Sequence, residues 1–327
     1  MPGKRTEVIT QKGCICYRLR VREYGKDVKD LRSIYIFGLF PISPGKTVVS
    51  AALCRGLLSR GFNVAPFKPR SGHNLWYQYP TFQKCKEEDR LFCEDIIRLR
   101  EASGCQLPYE ILNPIDALMA PLDAGDFLKK NDTRGMYLKQ AITFDHLIVE
   151  RYTSLEEGET KSTICINEKN LSGGVLSDIE YISELTETAE KVLRIEDATG
   201  WASIYRKLRP VSISTCNRKI VEKHEVTVVE GFNDAVCPAP ELRYKAVLGV
   251  APGVVAFYDP DDFERVIKVK SMTGGDPMGL RSKDIIQFIK PEGILSIPPL
   301  NSRDLINFDV MSHKLWNVID AVINRID

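Results

Sequence analysis

The sequence contains few of the residues from which metal sites and disulfide frameworks are built. It has 4 histidines and 9 cysteines in 327 residues, and no two cysteines stand in a CxxC arrangement. A zinc site or a disulfide framework is therefore not expected, and the cysteines are predicted to be reduced thiols. No apolar run reaches the roughly 18 residues of a membrane span, and the N-terminal residues lack the apolar core of a secretion signal. We expect a cytoplasmic protein without a membrane segment.

Neither sign of charge dominates the chain. The 45 Lys and Arg residues and the 44 Asp and Glu residues give a formal net charge of +1. A balanced chain has no overall field that attracts nucleic acid or anionic lipid. Near the N-terminus, Arg18, Arg20 and Arg22 alternate with other residues, which predicts an edge strand or hairpin. Contact of this stretch with nucleic acid is the alternative that we favour less.

The order of apolar segments predicts an α/β fold. Residues 33–40 form a continuous apolar run, typical of a strand that is buried on both faces. Helical periodicity follows over 48–60, and a second strand is predicted at 63–69. A strand, a helix and a strand within this length form a βαβ unit, which implies a parallel sheet. The predicted fold class is α/β: a mostly parallel twisted sheet with helices on both faces, of the P-loop NTPase type.

The rest of the chain has less regular patterns. Residues 71–74 are predicted to be a polar loop. The other predicted elements are helices at 91–102, 179–193, 283–289 and 304–325, strands at 147–152, 162–167, 210–215, 225–230 and 293–297, and a strand pair at 246–258. We expect residues 1–327 to form a single P-loop α/β domain. It would carry an elaboration at about 120–225 and a basic strand segment at 1–30.

A phosphate-binding loop is predicted between the first strand and the first helix. Backbone N–H groups from Gly45 to Val48 would point at an anion. The Lys46 ammonium can reach the β- and γ-phosphate oxygens of ATP, and the Thr47 hydroxyl can ligate Mg²⁺. The general pattern has a further glycine five positions before Gly45, but Phe40 stands there. The alternative is a turn that Thr47 caps.

Two acidic residues are candidates for the remaining Mg²⁺ ligands. Glu230 ends a predicted strand and precedes Gly231, at the edge where open parallel sheets bind ligands. The alternative for Glu230 is a solvated residue at the start of a loop. Asp95 lies early in a predicted helix, where capping of the helix N-terminus is the simpler role.

Lys68 ends the second predicted strand, and Ser71 follows three residues later. A lysine in this place can stabilise a transferring phosphoryl group or a carboxylate substrate. The alternative is a surface lysine. The aromatic stretch that includes Trp76, Tyr77 and Tyr79 would be either a lid over the site or a packed surface loop.

Four separated segments together resemble dethiobiotin synthetase and the related cobyrinate diamide synthases. The segments are 45–53, 64–72, 95–114 and 228–231. The resemblance implies that Lys46 and Thr47 hold ATP and Mg²⁺ and that Asp95 and Glu230 complete the metal ligands. It also implies that Lys68 holds a carboxylate or carbamate substrate next to the γ-phosphate, with Ser71 nearby.

The reaction that the resemblance implies is the phosphorylation of a small carboxylate or carbamate by ATP, after which an amine closes on the mixed anhydride. The changed loop before Gly45 and the long middle region favour an alternative, an ATP-binding regulatory protein of the same fold without ligase activity. Lys68 and Ser71 favour the ligase, because a regulatory switch needs no substrate lysine. A nucleoside kinase or phosphotransferase is a third possibility. We also expect a homodimer.

Overall fold

The computed structural model describes residues 32–42, 44–272 and 277–327 of the chain. The basic segment predicted at 1–30 lies outside these residues. In the described part, the strands are β1 (Arg32–Gly38), β2 (Val64–Phe67), β3 (Ser71–Asn74), β4 (Ile115–Met119), β5 (Leu147–Glu156), β6 (Glu159–Ile166), β7 (Lys191–Arg194), β8 (Val226–Glu230), β9 (Ala246–Ala251), β10 (Val254–Tyr258) and β11 (Gly293–Ser296).

The α-helices fill most of the connections between these strands. They are α1 (Lys46–Ser59), α2 (Tyr79–Glu87), α3 (Glu94–Ser103), α4 (Tyr109–Leu112), α5 (Ala124–Lys129), α6 (Thr133–Gln140), α7 (Glu168–Leu171), α8 (Ile179–Thr188), α9 (Ala198–Val221), α10 (Pro260–Met272), α11 (Ser282–Ile285), α12 (Ser302–Leu305), α13 (Phe308–Lys314) and α14 (Trp316–Ile326). None of the helices in the described ranges is long and apolar enough to cross a membrane.

The described strands form two sheets. The larger sheet has the order β11-β10-β9-β1-β8-β2, and β1, β2, β8 and β9 are parallel in it. At the other edge of this sheet, β10 pairs antiparallel with β9, and β11 pairs antiparallel with β10. The second sheet has the order β3-β4-β5-β6-β7 and mixes parallel with antiparallel pairs. The predicted α/β class with a largely parallel sheet is confirmed, and the second sheet was not predicted.

The larger sheet is built around the buried strand β1, and its parallel strands end at one common edge. Strand β1 is apolar on both faces, and Ile34, Tyr35, Ile36 and Phe37 are fully buried between its parallel neighbours β8 and β9. Helix α1 packs on this sheet next to α3 and α13. Because the carboxyl ends of parallel strands lie at one edge, the residues after β1, β2 and β8 come together beside the start of α1.

Two of the predicted elements are wrong in type. Residues 210–215, predicted as a strand, lie inside α9, whose buried positions include Ile204, Ile213 and Ile220. Packing of this face against β5 overrides the local preference. Residues 71–74, predicted as a polar loop, form β3, because their backbone pairs in parallel with β4.

Two predicted helices have the wrong extent. The helix predicted at 179–193 ends at Thr188, and the next residues form β7 at the edge of the second sheet. The helix predicted at 304–325 is divided into α12, α13 and α14. The first break lies at Asn307, whose side chain accepts hydrogen bonds from the backbone N–H groups of Asp309 and Val310 and so starts α13. The second break lies at Leu315, between α13 and α14.

Candidate functional site

The loop between β1 and α1 is shaped by two glycines. A Cβ atom on Gly38 would lie 2.7 Å from Pro44 Cγ and 2.9 Å from the Asn233 carbonyl oxygen. Gly45 has a φ of 91°, a left-handed conformation that glycine adopts without strain, and it is the N-cap of α1. No side chain caps the helix at this position. The first-turn N–H groups of α1 therefore have no side-chain acceptor at the N-cap, as a phosphate-binding loop requires.

Lys46 brings a cation to this loop from a buried position. Its residue surface is 7% exposed. Burial lowers the pKa of Lys46, and the negative charge of Glu230 works against that effect. An ammonium with restricted access to water is stabilised by an anion placed next to it. Lys46 is thus suited to hold phosphate oxygens.

Lys68, Thr47, Asp95 and Glu230 lie together although they are distant in sequence. Lys68 Nζ donates to Asp95 Oδ2 and to Glu230 Oε1, at 2.5 Å each. Thr47 Oγ1 lies 2.9 Å from Asp95 Oδ1 and 3.2 Å from Glu230 Oε1. Helix α1, the end of β2, helix α3 and the end of β8 each supply one member. The structure therefore brings the three predicted metal ligands together around the predicted substrate lysine.

The geometry does not match the simpler roles, which were a surface lysine for Lys68, a solvated loop residue for Glu230 and a helix cap for Asp95. The Lys68 side chain is 3% exposed, and Glu230 is fully buried, so neither is a solvated surface residue. The N-cap of α3 is Cys93, and the Asp95 carboxylate contacts Thr47 and Lys68 rather than a helix N-terminus.

The charges in this cluster support one another. Burial would lower the pKa of Lys68, but the carboxylates of Asp95 and Glu230 outweigh it and raise that pKa above its ordinary value. Burial would raise the pKa of Asp95, but the Lys68 ammonium outweighs it and lowers that pKa. Lys68 and Asp95 are therefore both charged near neutral pH.

The oxygen atoms of the cluster suit Mg²⁺. Glu230 Oε2 is buried and has no hydrogen-bond partner in the described part of the chain, so one carboxylate oxygen remains for a cation. Mg²⁺ in nucleotide sites takes one or two carboxylates and completes its ligands with phosphate oxygens and water. Within residues 32–42, 44–272 and 277–327, no group of three or more His, Cys, Asp or Glu side chains could hold a metal. The phosphates of a nucleotide would have to supply the missing ligands.

Ser71 belongs to a buried polar network next to the cluster. Its Oγ lies 2.5 Å from Asp116 Oδ1 and 2.9 Å from Asn113 Oδ1. Asp116 Oδ2 is 2.8 Å from His73 Nδ1, and Asn113 Nδ2 donates to the Lys68 carbonyl oxygen at 2.9 Å. Ser71 is thus fixed in position and linked to the backbone of Lys68. Asp116 was not predicted from the sequence, although it is an acidic residue inside the otherwise apolar run 115–119.

A cavity of about 740 Å³ adjoins Ser71. It lies between β3, β4, α9 and the residues Phe232 and Asn233 that follow β8. The aromatic stretch, for which a lid and a surface loop were the two expectations, does not line the cavity, and Trp76, Tyr77 and Tyr79 are exposed at the surface. The space beside Ser71 is large enough for a small-molecule substrate.

Comparison with known proteins points to one group of enzymes. No protein-family model matches the chain. It is similar to the ATP-dependent dethiobiotin synthetase BioD 2 of Escherichia coli K12, with 29% identity over 214 residues, which are 65% of this chain and 68% of that protein. It is also similar to BioD 2 of Salmonella typhimurium, with 28% identity over 210 residues, 64% of this chain and 67% of that protein. These similarities confirm the resemblance of the chain to the dethiobiotin synthetase-like P-loop proteins.

Proposed function

We propose that the chain is a Mg-ATP-dependent, ligase-like enzyme that phosphorylates a small carboxylate or carbamate. The observation that carries the proposal is the position of Lys68, a buried lysine that contacts both candidate metal carboxylates beside Lys46 and Thr47. A site that binds ATP only as a signal needs the phosphate loop and the metal ligands. It does not need a second buried ammonium where the γ-phosphate would lie.

Each residue of the cluster has a distinct task in this proposal. Lys46 and the N–H groups from Gly45 to Val48 hold the phosphates of ATP. Thr47, Asp95 and Glu230 hold Mg²⁺, which neutralises charge on the phosphates when it is bound.

Lys68 and Ser71 act on the substrate. Lys68 holds the substrate carboxylate and keeps its oxygen near the γ-phosphorus, because its ammonium can contact anionic oxygens on both partners. The carboxylate oxygen attacks the γ-phosphorus, so that ADP leaves and a mixed phosphate anhydride forms. An amine nitrogen then attacks the acyl carbon, a C–N bond forms, and phosphate leaves. Ser71, fixed by Asp116 and Asn113, positions the substrate next to Lys68.

The resemblance to ATP-dependent dethiobiotin synthetases supports this reaction class. We further propose a small carboxylate or amine as the substrate partner, a homodimer, a cytoplasmic location and a single domain. The balanced net charge of +1 supports the absence of a nucleic-acid partner.

One observation favours the second candidate, an ATP-binding regulatory protein without ligase activity. Phe40 is 56% exposed and Ile42 is 81% exposed, immediately before the phosphate loop. Apolar side chains in this place can contact a partner protein. The two candidates differ in whether ATP is consumed together with a carboxylate.

Trapping of the activated intermediate tests the proposal. Full-length protein is incubated with Mg-ATP, hydroxylamine and each of succinate, glutarate and adipate, and both ADP and hydroxamate are measured. Wild type should form both, because hydroxylamine captures acyl phosphates. The Lys68→Ala variant should form no hydroxamate, while Lys129→Ala, which changes an exposed lysine of α5, should behave as wild type. Equal hydroxamate formation by Lys68→Ala and by wild type would contradict the ligase proposal, as would a wild type that does not bind Mg-ATP.

A further inference from the structure

The cavity beside Ser71 has an uneven charge. Four basic side chains line it, those of Arg70, His73, His146 and Arg281, and no Asp or Glu is among its described lining residues. The cavity also lacks the residues around the predicted ATP and metal position, which are Lys46, Thr47, Lys68, Asp95 and Glu230. A wall of basic and neutral groups around a confined space favours an anionic ligand and disfavours a cationic one.

Arg70 is held rigidly at this wall. Its Nη2 donates to Glu150 Oε1 at 3.1 Å, and Glu150 is fully buried. Glu150 Oε2 in turn accepts from Tyr152 Oη and from Trp201 Nε1, at 2.5 Å each. The guanidinium lies 4.0 Å from the centre of the Tyr205 ring. An arginine fixed by an ion pair and an aromatic face loses little further freedom when it binds a ligand.

Arg70 keeps N–H donors for a ligand in addition to its ion pair with Glu150. The contact with Glu150 uses one nitrogen of a group that carries five N–H donors. The Arg70 side chain is 27% exposed and lines the cavity, whereas Glu150 lies behind it and does not. The acidic partner orients the guanidinium and stays out of the space that the guanidinium faces.

Arg281 reaches the same cavity from another part of the chain. Its Nη1 is 3.4 Å from Asp234 Oδ1, a long contact, and its side chain is 38% exposed. The neighbouring Ser282 hydroxyl donates to the Gly38 carbonyl oxygen at the start of the phosphate loop. The segment that carries Arg281 therefore also contacts the start of the loop on which ATP is proposed to bind.

We propose that this cavity selects a substrate with a second anionic group, a carboxylate or a phosphate, and that Arg70 is the residue that recognises it. The inference rests on the proposed function. The substrate then has two ends: one is activated beside Lys68, and the other is held by Arg70 with Arg281. Since Lys68 does not line the cavity, the reacting end extends out of it past Ser71.

Anion binding to full-length protein tests this assignment. Calorimetry and thermal shift are measured with succinate, glutarate and glycerol 3-phosphate, each against its uncharged analogue, with and without a non-hydrolysable ATP analogue and Mg²⁺. Wild type should bind at least one dianion about tenfold more tightly than the uncharged analogue, the effect of one charge-assisted contact. Preference for the dicarboxylates or for glycerol 3-phosphate identifies the second group as a carboxylate or a phosphate.

Three variants show whether Arg70 is responsible. Arg70→Gln should remove the preference for the anion, and Arg70→Lys should restore part of it. Arg70→Gln combined with Glu150→Gln avoids an unpaired buried carboxylate, so it tests the assignment even where the single variant folds poorly. Arg55→Gln, which changes a partly exposed arginine paired with Asp309 outside the cavity, is the matched control and should bind as wild type.

The outcomes separate this inference from the proposed function. If wild type binds the nucleotide but prefers no anion over its uncharged analogue, or if Arg70→Gln binds anions as Arg55→Gln does, the assignment is wrong while the proposed function stands. If anions bind through Arg70 but the nucleotide does not bind, the assignment stands and the proposed function fails.

Discussion

The two polar regions of the molecule balance their charges in different ways. Around Lys68, basic and acidic side chains contact one another directly, and a carboxylate oxygen of Glu230 is left over. In the neighbouring cavity, the acids Glu150 and Asp116 lie behind Arg70 and His73 and do not line the space. The first region is suited to a polyphosphate together with a metal cation, and the second to an anion alone.

The difference shows that the position of the carboxylates decides which ligand a pocket of this chain is suited to bind. A carboxylate that shares the pocket with a lysine offers a place for a metal. A carboxylate behind an arginine only orients it. A substitution that changes one region alone either separates the two regions further or removes the distinction between them.

The largest effect is expected from Lys68→Ala. This change leaves Glu230 buried without its cation, so we expect the free energy of unfolding to fall by about 3–5 kcal/mol in metal-free buffer. Millimolar Mg²⁺ should recover more of that loss in the variant than it adds to wild type, because the metal then neutralises the same carboxylates. Urea unfolding with and without Mg²⁺ measures both effects. Unchanged stability would mean that Lys68 does not balance this cluster.

The next largest effect concerns ATP. Wild type at a nucleotide concentration of 100 times Kd should gain about 2.7 kcal/mol of stability, seen as a rise in melting temperature. Lys46→Ala should abolish this gain, because it removes the buried ammonium that stands at the start of α1. Lys129→Ala should keep it. An undiminished rise in Lys46→Ala would remove Lys46 from the site.

His73 should make the cavity wall sensitive to pH where the Lys68 cluster is not. Burial would lower the pKa of His73, but Asp116 outweighs it, and contact with Cys85 adds to the rise, so that the pKa reaches about 10 against an ordinary 6.5. A folded-state pKa above the unfolded value stabilises the fold fully below about pH 6.5, and the effect is lost as the pH rises towards 10. The stability difference between wild type and His73→Gln should therefore shrink over this interval. A constant difference would contradict a charged His73.

The smallest effect is expected from Gly45→Ala. The φ of 91° would strain an alanine by about 1–2 kcal/mol, and the nearest atom to the new Cβ, Val250 Cγ1 at 3.9 Å, leaves room for it. Gly61→Ala is a matched control, because its φ is 90° and nothing lies within 4 Å. Both variants should lose similar stability, and only Gly45→Ala should also bind ATP more weakly. Equal ATP affinity in the two variants would mean that the loop conformation does not matter for phosphate binding.

The phosphate corner could be predicted from sequence because its residues follow regular strands. Lys46 begins the helix that follows β1, Lys68 follows β2, and Glu230 ends β8. Parallel pairing brings the ends of these strands to one edge of the sheet. Asp95 needed the resemblance as well, since its position early in a helix also allowed a capping role. The direct contact of Lys68 with two carboxylates did not follow from the pattern, because it depends on side-chain packing.

The cavity could not be predicted in the same way. Ser71 meets Asp116 only because β3 pairs with β4, and the polar residues 71–74 gave no strand signal. Trp201 and Tyr205 reach Arg70 from the first half of α9, where no helix was predicted from the sequence. The local signs were charged residues inside apolar runs, namely Asp116 in β4 and the pair Glu150 and Arg151 in β5. Long-range pairing decides this region, and local preference does not.

A crystal structure of the full chain with Mg²⁺ and a non-hydrolysable ATP analogue tests the central claim most directly. We expect the γ-phosphate beside Lys46 and Lys68, with Mg²⁺ bound by Thr47 and by the unpartnered Glu230 Oε2. A nucleotide bound elsewhere, or a saturating concentration that leaves this corner empty, would contradict the account.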